Sequence, residues 1–214
     1  MADNELEASA PGASCMKQYD QKYFDRWYRR SNIGVGQRDF IERKVKLAVA
    51  AAEYVLGRKL KTVLDVGCGE APWRAILKRM RPGVKYQGFD SSDYAVERYG
   101  KRRNIRKGSL ADLSYMGLEG PYDLVVCADV LHYVKSSEVR IGLVTLAGLL
   151  DGVAFIEAFT SADDIHGDHA EFQMRTPAVY QRLFAEAGLL PLGLHLYTTA
   201  ERAEELVVLE KPGA

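Results

Sequence analysis

Short apolar runs alternate with amphipathic segments along most of the chain. KTVLDVG (61–67) is a β-branched run ending in glycine and reads as a buried strand. PWRAILKRMR (72–81) follows as a helix, with Pro72 at a position suited to its first turn. VKYQGFD (84–90) is the next strand and closes on an acid, and SDYAVERYGKR (92–102) is the next helix. NIRKGSL (104–110) is a third, less apolar strand, and YDLVVCADVL (122–131) a fourth, strongly apolar one. SSEVRIGLVTLAGLLDG (136–152) reads as a helix with a serine cap and a glycine stop, and VAFIEAFT (153–160) as the fifth strand. TPAVYQRLFAEAGL (176–189) is a capped helix closing on Gly188. PLGLHLYTT (191–199) and EELVVLEKP (204–212) are the last two strands, antiparallel because so few residues join them.

Strands that alternate with helices build a mostly parallel sheet with both faces covered. The expectation is a doubly wound α/β fold: seven strands, the last antiparallel, with helices on both faces. Upstream, residues 17–57 read as helical. DFIERKVKLAVAAAEYVLG (39–57) is amphipathic, and YDQKYFDRWYRRS (19–31) is aromatic and basic. No repeat or linker divides residues 17–214, which read as one domain behind an acidic, small-residue tail at 1–16.

Composition narrows the function classes. With 29 basic and 29 acidic side chains the net charge is zero, so no global pull toward nucleic acid or a membrane surface is implied. The run KRRNIRK (101–107) is basic, but it lies between a helix and the third strand, away from the expected acceptor mouth, and reads as a solvated edge. No apolar run approaches the roughly 20 residues of a membrane span, and the N-terminus lacks the pattern of a signal peptide. Three cysteines without paired spacing argue against a disulfide framework or a zinc site and fit a reducing cytoplasm.

The chemistry concentrates after the first strand, in Gly67-Cys68-Gly69-Glu70-Ala71-Pro72. Gly67 permits a tight turn and Gly69 a close backbone approach to a ligand. A pyrophosphate loop wants a third small residue where Pro72 stands, and Glu70 would face the anion. Asp90 ends the second strand, 21 residues after Gly69, where an acid can accept from both ribose hydroxyls. The loop therefore asks for a cationic nucleoside without phosphates, such as S-adenosylmethionine, rather than NAD or FAD.

With these residues in place the chain resembles a class I S-adenosylmethionine-dependent methyltransferase. VLDVGCGEA (63–71) is similar to that family's first motif, YQGFDSSDYAVERY (86–99) to its second, NIRKGSLADL (104–113) to its third and YDLVVCADVLHYV (122–134) to its fourth. FAEAGLLPLGLHLY (184–197) is similar to its last helix and strand. The resemblance implies S-adenosyl-L-methionine as cofactor, S-adenosyl-L-homocysteine as product, and an N-terminal helical lid over the acceptor site at 17–57. It carries cofactor contacts onto Asp65, Gly67, Cys68, Gly69, Asp90, Ser91, Ser109, Leu110, Ala128 and Asp129, with Arg43 of the N-terminal helix pairing with the methionine carboxylate. Two departures stand out: Ala71 replaces a frequent glycine, and Ser109 replaces a frequent acid that caps the adenine amino group. Ser109 can still accept a hydrogen bond, or the Leu110 backbone can serve.

Methyl transfer is an in-line displacement that depends on alignment, with a base needed only when the acceptor arrives protonated. Three stretches are candidates for the acceptor side. After the fourth strand, His132 and Tyr133 are catalytic or acceptor-contact candidates, or else packing residues at a helix start. After the fifth, EAFTSADDIHGDHAEFQ (157–173) holds His166 and His169, with His169 a third catalytic candidate. No Lys or Arg stands between Ile141 and Met174, against six acids, which reads as a solvated loop or as an anionic rim for an amine. In 19–31, the spacing of Tyr19, Tyr23, Phe24, Trp27 and Tyr28 puts several of them on one helix face, for core packing or for covering a sulfonium. Neither Asp129 nor the histidine loop offers a full ligand set, so no metal is expected.

The expected function is transfer of a methyl group to a small-molecule N- or O-nucleophile, with amines favoured, by a monomer or homodimer that has no membrane or nucleic-acid partner. A methyltransferase of RNA or protein, and a non-catalytic binding subunit, are the alternatives.

Overall fold

The computed structural model describes residues 17–30, 37–165 and 168–206. The expected tail at 1–16, His166 and residues 207–212 of the last expected strand lie outside them. The strands are β1 (Thr62–Val66), β2 (Lys85–Asp90), β3 (Ile105–Lys107), β4 (Tyr122–Ala128), β5 (Leu150–Glu157), β6 (Leu189–Gly193) and β7 (Leu196–Thr199). The helices are α1 (Gln21–Phe24), α2 (Arg38–Leu56), α3 (Pro72–Met80), α4 (Asp93–Arg103), α5 (Ser136–Gly148), α6 (Pro177–Glu186) and α7 (Ala200–Glu204), and a π-helical turn at Asp25–Arg30 extends α1. Among the described residues, no helix is long and apolar enough to cross a membrane.

The strands form one sheet in the order β3-β2-β1-β4-β5-β7-β6. β1 pairs in parallel with β2 and β4, β4 in parallel with β5, and β7 runs antiparallel to both β5 and β6. Successive strand residues are shared between two cores. Val63, Leu124, Val126, Val153 and Phe155 pack under α2 and α3, while Leu64, Val125, Cys127, Ala154 and Ile156 pack under α5 and α6. That is why these strands read as continuous apolar runs rather than alternating ones: each residue is inward for one face. Full burial of such a side chain is worth about 1.5–3 kcal/mol, so the sheet is a rigid platform. β1 lies between β2 and β4, so the winding reverses there and the loops after β1 and β4 part to leave a crevice.

The structure corrects several boundaries. The segment 191–199 is a hairpin, not one strand: β6 and β7 are joined through Leu194 and His195, both with positive φ (52° and 66°). Residues 200–204, which follow directly, are helical, so the start of the expected strand at 204–212 is a helix end. Helix α5 stops at Gly148, and Ser136 is its first residue rather than its cap. Gly152 lies inside β5, where a side chain would come within 2.4 Å of the Asp123 carbonyl oxygen. Its glycine serves close strand approach, not helix termination.

Candidate active site

A cavity of about 490 Å³ opens at the carboxyl ends of β1, β2, β4 and β5. Its floor is the loop after β1. Gly67 and Gly69 have φ of 68° and 53°, and Ala71 joins them in the left-handed region at 56°. A Cβ at Gly67 would meet Val130 Cγ2 at 2.3 Å, and one at Gly69 would meet the Tyr28 hydroxyl at 2.1 Å. The loop is thus packed from above and tolerates no side chain at either glycine. Asp90, at the end of β2, holds it in place: Gly69 N–H donates to Asp90 Oδ2 (2.6 Å) and Ser92 N–H to Oδ1 (2.8 Å). A carboxylate offers about four acceptor sites, so two remain for ligand hydroxyls. Burial pushes the Asp90 carboxyl up, against the pull of those two amides and of Lys107. Asp65 is 3% exposed and accepts from the Tyr86 hydroxyl (2.7 Å). Burial raises it to about 7, against the Tyr86 bond and with help from the Asp90 charge.

Glu70 does not face this space. Its carboxylate pairs with Arg29 (2.8 Å), and its carbonyl accepts from Arg103. The case against a phosphate ligand therefore moves from Glu70 to the wall itself. Among the described residues, Asp65 and Asp90 from β1 and β2, Asp129, Glu138 and Glu157 from the loop after β4, α5 and β5, and Asp168 and Glu171 from the loop after β5 set seven carboxylates against two lysines, Lys44 and Lys17, the latter paired with Asp168. Lys44 is already paired with Glu157 at 2.6 Å.

The segment 17–30 runs across the cavity and is fastened along its length. Lys17 Nζ pairs with Asp168 (2.6 Å), the Tyr19 carbonyl accepts from Ser92 Oγ (2.5 Å), Phe24 stacks on Tyr94 (5.3 Å) and Arg29 binds Glu70. Phe24 is core, at 2% exposure, whereas Tyr19, Tyr23, Trp27 and Tyr28 also turn toward the cavity.

Of the expected cofactor residues, Asp65, Gly67, Cys68, Gly69, Asp90, Ser91, Ser109, Leu110, Ala128 and Asp129 all line the cavity. Arg43 does not: it is exposed, and Lys44, one residue and about 100° further round α2, is turned inward instead. Ser109 Oγ and N–H both donate to Asp112 Oδ2 (2.7 and 2.8 Å), so the acid missing at 109 sits three residues on and orients the serine. Among the three catalytic candidates only Tyr133 is on the wall, its hydroxyl donating to the Asp168 carbonyl (2.9 Å). His132 is 1% exposed and stacked on Phe172 (4.9 Å). Its Nδ1 accepts from Phe159 N–H (3.4 Å), which leaves the proton on Nε2, 3.2 Å from Asp129 Oδ1 but poorly aligned with it. The imidazole is packed behind the wall, because the 3-10 turn at Leu131–Tyr133 points residue 133, not 132, into the space. His169 is exposed and off the wall.

The loop 157–173 is neither wholly solvated nor wholly rim. Asp163 turns back onto Thr160, while Asp168 and Glu171 face the cavity. The basic run 101–107 is partly consumed within the fold: Arg103 binds the Glu70 carbonyl, Arg106 the Met116 carbonyl (3.1 Å), and Lys107 pairs with Asp93 (2.5 Å).

Two residues with no local sequence signal also shape the site. Lys17, from before α1, reaches the loop after β5. Arg175 is 6% exposed, and its guanidinium donates to the Leu131 carbonyl (2.9 Å), the Val134 carbonyl, Ser136 Oγ (2.9 Å) and the Tyr180 hydroxyl (3.1 Å). It thereby fixes the turn that presents Tyr133.

A methyltransferase domain family matches residues 37–190, most of the chain and all of the cavity lining except the segment 19–28. The chain belongs to that family. The methyltransferase shares its fold with solved structures of low identity. A SAM-dependent methyltransferase from Archaeoglobus fulgidus superposes with a TM-score of 0.60 at 15% identity, over 79% of this chain and 75% of that one. DesVI of Streptomyces venezuelae gives 0.60 at 15% identity, over 77% and 94%. An O-methyltransferase from a trans-AT PKS multienzyme of Brevibacillus brevis, in complex with S-adenosyl-L-homocysteine, gives 0.56 at 17% identity, over 88% and 65%. A sequence comparison with the curated proteins finds no match.

Proposed function

We propose that the cavity binds S-adenosyl-L-methionine and presents its methyl group to a small-molecule N- or O-nucleophile, with amines favoured. The observation that carries this reading is the one-sided charge of the wall: among the described residues, seven carboxylates against two lysines, Lys44 and Lys17, each already paired with one of them. Such a wall suits a ligand with an ammonium and a sulfonium and repels a pyrophosphate. A space of about 490 Å³ under the aromatic segment is of the size that encloses small molecules. The presence of S-adenosyl-L-homocysteine in the Brevibacillus brevis relative supports the same cofactor.

When bound, the cofactor supplies an electrophilic methyl group on sulfur. The chain's part is to position and to desolvate. The Gly67–Gly69 loop gives close backbone approach, Asp90 keeps two acceptor sites for ribose hydroxyls, and Asp65 complements the ammonium. Ser109 and Leu110 border the adenine, and Tyr28 closes over Gly69. On the acceptor side Tyr133 shapes the pocket. Asp129, with its side chain 41% exposed beside the cavity, takes the place assigned to His132 as the group able to accept a proton.

Thermal melting with S-adenosyl-L-homocysteine and with NAD is the experiment. The first is expected to raise the melting temperature and the second to leave it unchanged, and no shift with S-adenosyl-L-homocysteine would overturn the reading. The state of Asp65 adds a pH signature. An incoming ammonium favours the ionised carboxylate, and below about 7 the carboxyl holds its proton. Affinity for S-adenosyl-L-homocysteine is therefore expected to fall as the pH drops from about 7.5 to about 5.5, by up to roughly ten-fold per unit, with proton release on binding. Calorimetry in two buffers of different ionisation enthalpy reads both quantities. A flat affinity over that range would remove the role of Asp65.

A further inference from the structure

Lys17 is buried in a place that suits a cation. Its side chain is 5% exposed. The ammonium lies 3.4 Å from the centroid of the Tyr133 ring, 5.0 Å from that of Tyr19 and 5.5 Å from that of Tyr23. Asp168 Oδ2 stands 2.6 Å away, the Ala170 carbonyl accepts at 3.4 Å, and Glu171 Oε1 accepts the Lys17 backbone N–H at 2.8 Å. Three rings and a carboxylate around one ammonium form a cation cage. Tyr19, Tyr23, Tyr133, Asp168 and Glu171 all line the main cavity as well, so the cage is part of its wall.

We infer that this cage is the cation subsite of the acceptor pocket, that it takes the alkylammonium group of the acceptor, and that Lys17 is an internal occupant that competes with it. The inference rests on the proposed function for the word acceptor, and it adds the substrate class and the residues that select it. Residues outside the cage pack on the cofactor loop: Val130 stands over Gly67, and Tyr28 and Phe24 over Gly69. Each ring face attracts a desolvated cation whatever the rest of the molecule, and Asp168 adds charge selectivity. Lys17 is tethered, so it fills the cage until a free cation competes for it. A tether of this kind weakens the apparent affinity of the acceptor by the fraction of molecules in which the cage is already filled.

The test uses tetramethylammonium as the probe and 2,2-dimethylpropanol as its neutral isostere, on the full chain by calorimetry. The Lys17→Met variant is expected to bind tetramethylammonium roughly ten-fold more tightly than the parent, as removal of an internal competitor requires. The double variant Lys17→Met/Asp168→Asn is expected to lose that gain, and the alcohol to bind neither. A second measurement uses the parent protein alone: acetylation of Lys17, followed by mass spectrometry, should accelerate when tetramethylammonium displaces the side chain. The inference is overturned if Lys17→Met gains nothing, if the alcohol gains equally, or if acetylation is unmoved by the probe. Saturating S-adenosyl-L-homocysteine should leave the probe's affinity in place, and mutual exclusion would show that the cage belongs to the cofactor, also overturning it. Binding of S-adenosyl-L-homocysteine to the same variants tests the cofactor reading independently.

Discussion

Replacing Asp90 by alanine is expected to remove S-adenosyl-L-homocysteine binding and a large part of the stability together. Both carboxylate oxygens accept a buried backbone amide, from Gly69 at 2.6 Å and from Ser92 at 2.8 Å. Without them two buried N–H groups lose their partner, at about 1–3 kcal/mol each. For a chain of this size each kcal/mol lowers the melting temperature by roughly 2–4 °C, so a fall of about 4–24 °C is expected. The glycine loop is no longer tied to β2, and the stabilisation that a native-state ligand provides disappears with its site. Asp90→Asn separates the parts. Its amide keeps one acceptor oxygen but turns an NH2 group toward a backbone donor, so one bond survives and the other becomes a repulsion. That variant should melt between the parent and Asp90→Ala while still failing to respond to the ligand. An intact thermal shift in either variant would mean that the loop is organised without Asp90.

Arg175→Leu is expected to be the most damaging change outside the cofactor loop. The guanidinium is buried, and its four hydrogen bonds go to neutral oxygens of the segment 131–136 and of Tyr180. Hydrogen bonds to a charged group are worth about 1.5–3 kcal/mol each, while release of a buried charge returns part of that sum, which leaves a loss of about 2–4 kcal/mol. Arg175→Lys should recover little, because a single ammonium cannot span the fork from Ser136 to Tyr180. The turn that presents Tyr133 loses its anchor, so kcat for methyl transfer should drop more than the affinity for S-adenosyl-L-homocysteine. Melting within about 2 °C of the parent, or a loss confined to cofactor affinity, would contradict the positioning role of Arg175.

Both predictions concern groups at very different distances from what the sequence reveals. Asp90 is legible because it closes an apolar run at a fixed interval from a glycine pair, and the doubly wound sheet itself is legible because two cores make most residues of β1, β4 and β5 apolar. Arg175 and Lys17 are not legible, since the partners of each are set by the fold rather than by neighbours in sequence: Lys17 meets a carboxylate 151 positions later. Arg43 and Lys44 show a second limit. Periodicity establishes that α2 has an inward face, but adjacent cations at its edge are separated only by the helix register. His132 shows a third, because chemistry ranks a histidine above a tyrosine while a single 3-10 turn decides which of the two faces the space. The hairpin of β6 and β7 escapes a sequence reading for another reason. Its turn places Leu194 and His195 at positive φ, and neither residue announces a turn.

The acidic wall and the aromatic segment together make one claim: that this methyltransferase is built for a small cationic or amine acceptor. The measurement that bears on it most directly is transfer of a labelled methyl group from S-adenosyl-L-methionine across matched amines, phenols, thiols and carboxylates of similar size. Label should pass to amines in preference to the others, and Asp168→Asn should erode that preference. Transfer that favours carboxylates or phenols, with amines inert, would contradict the account.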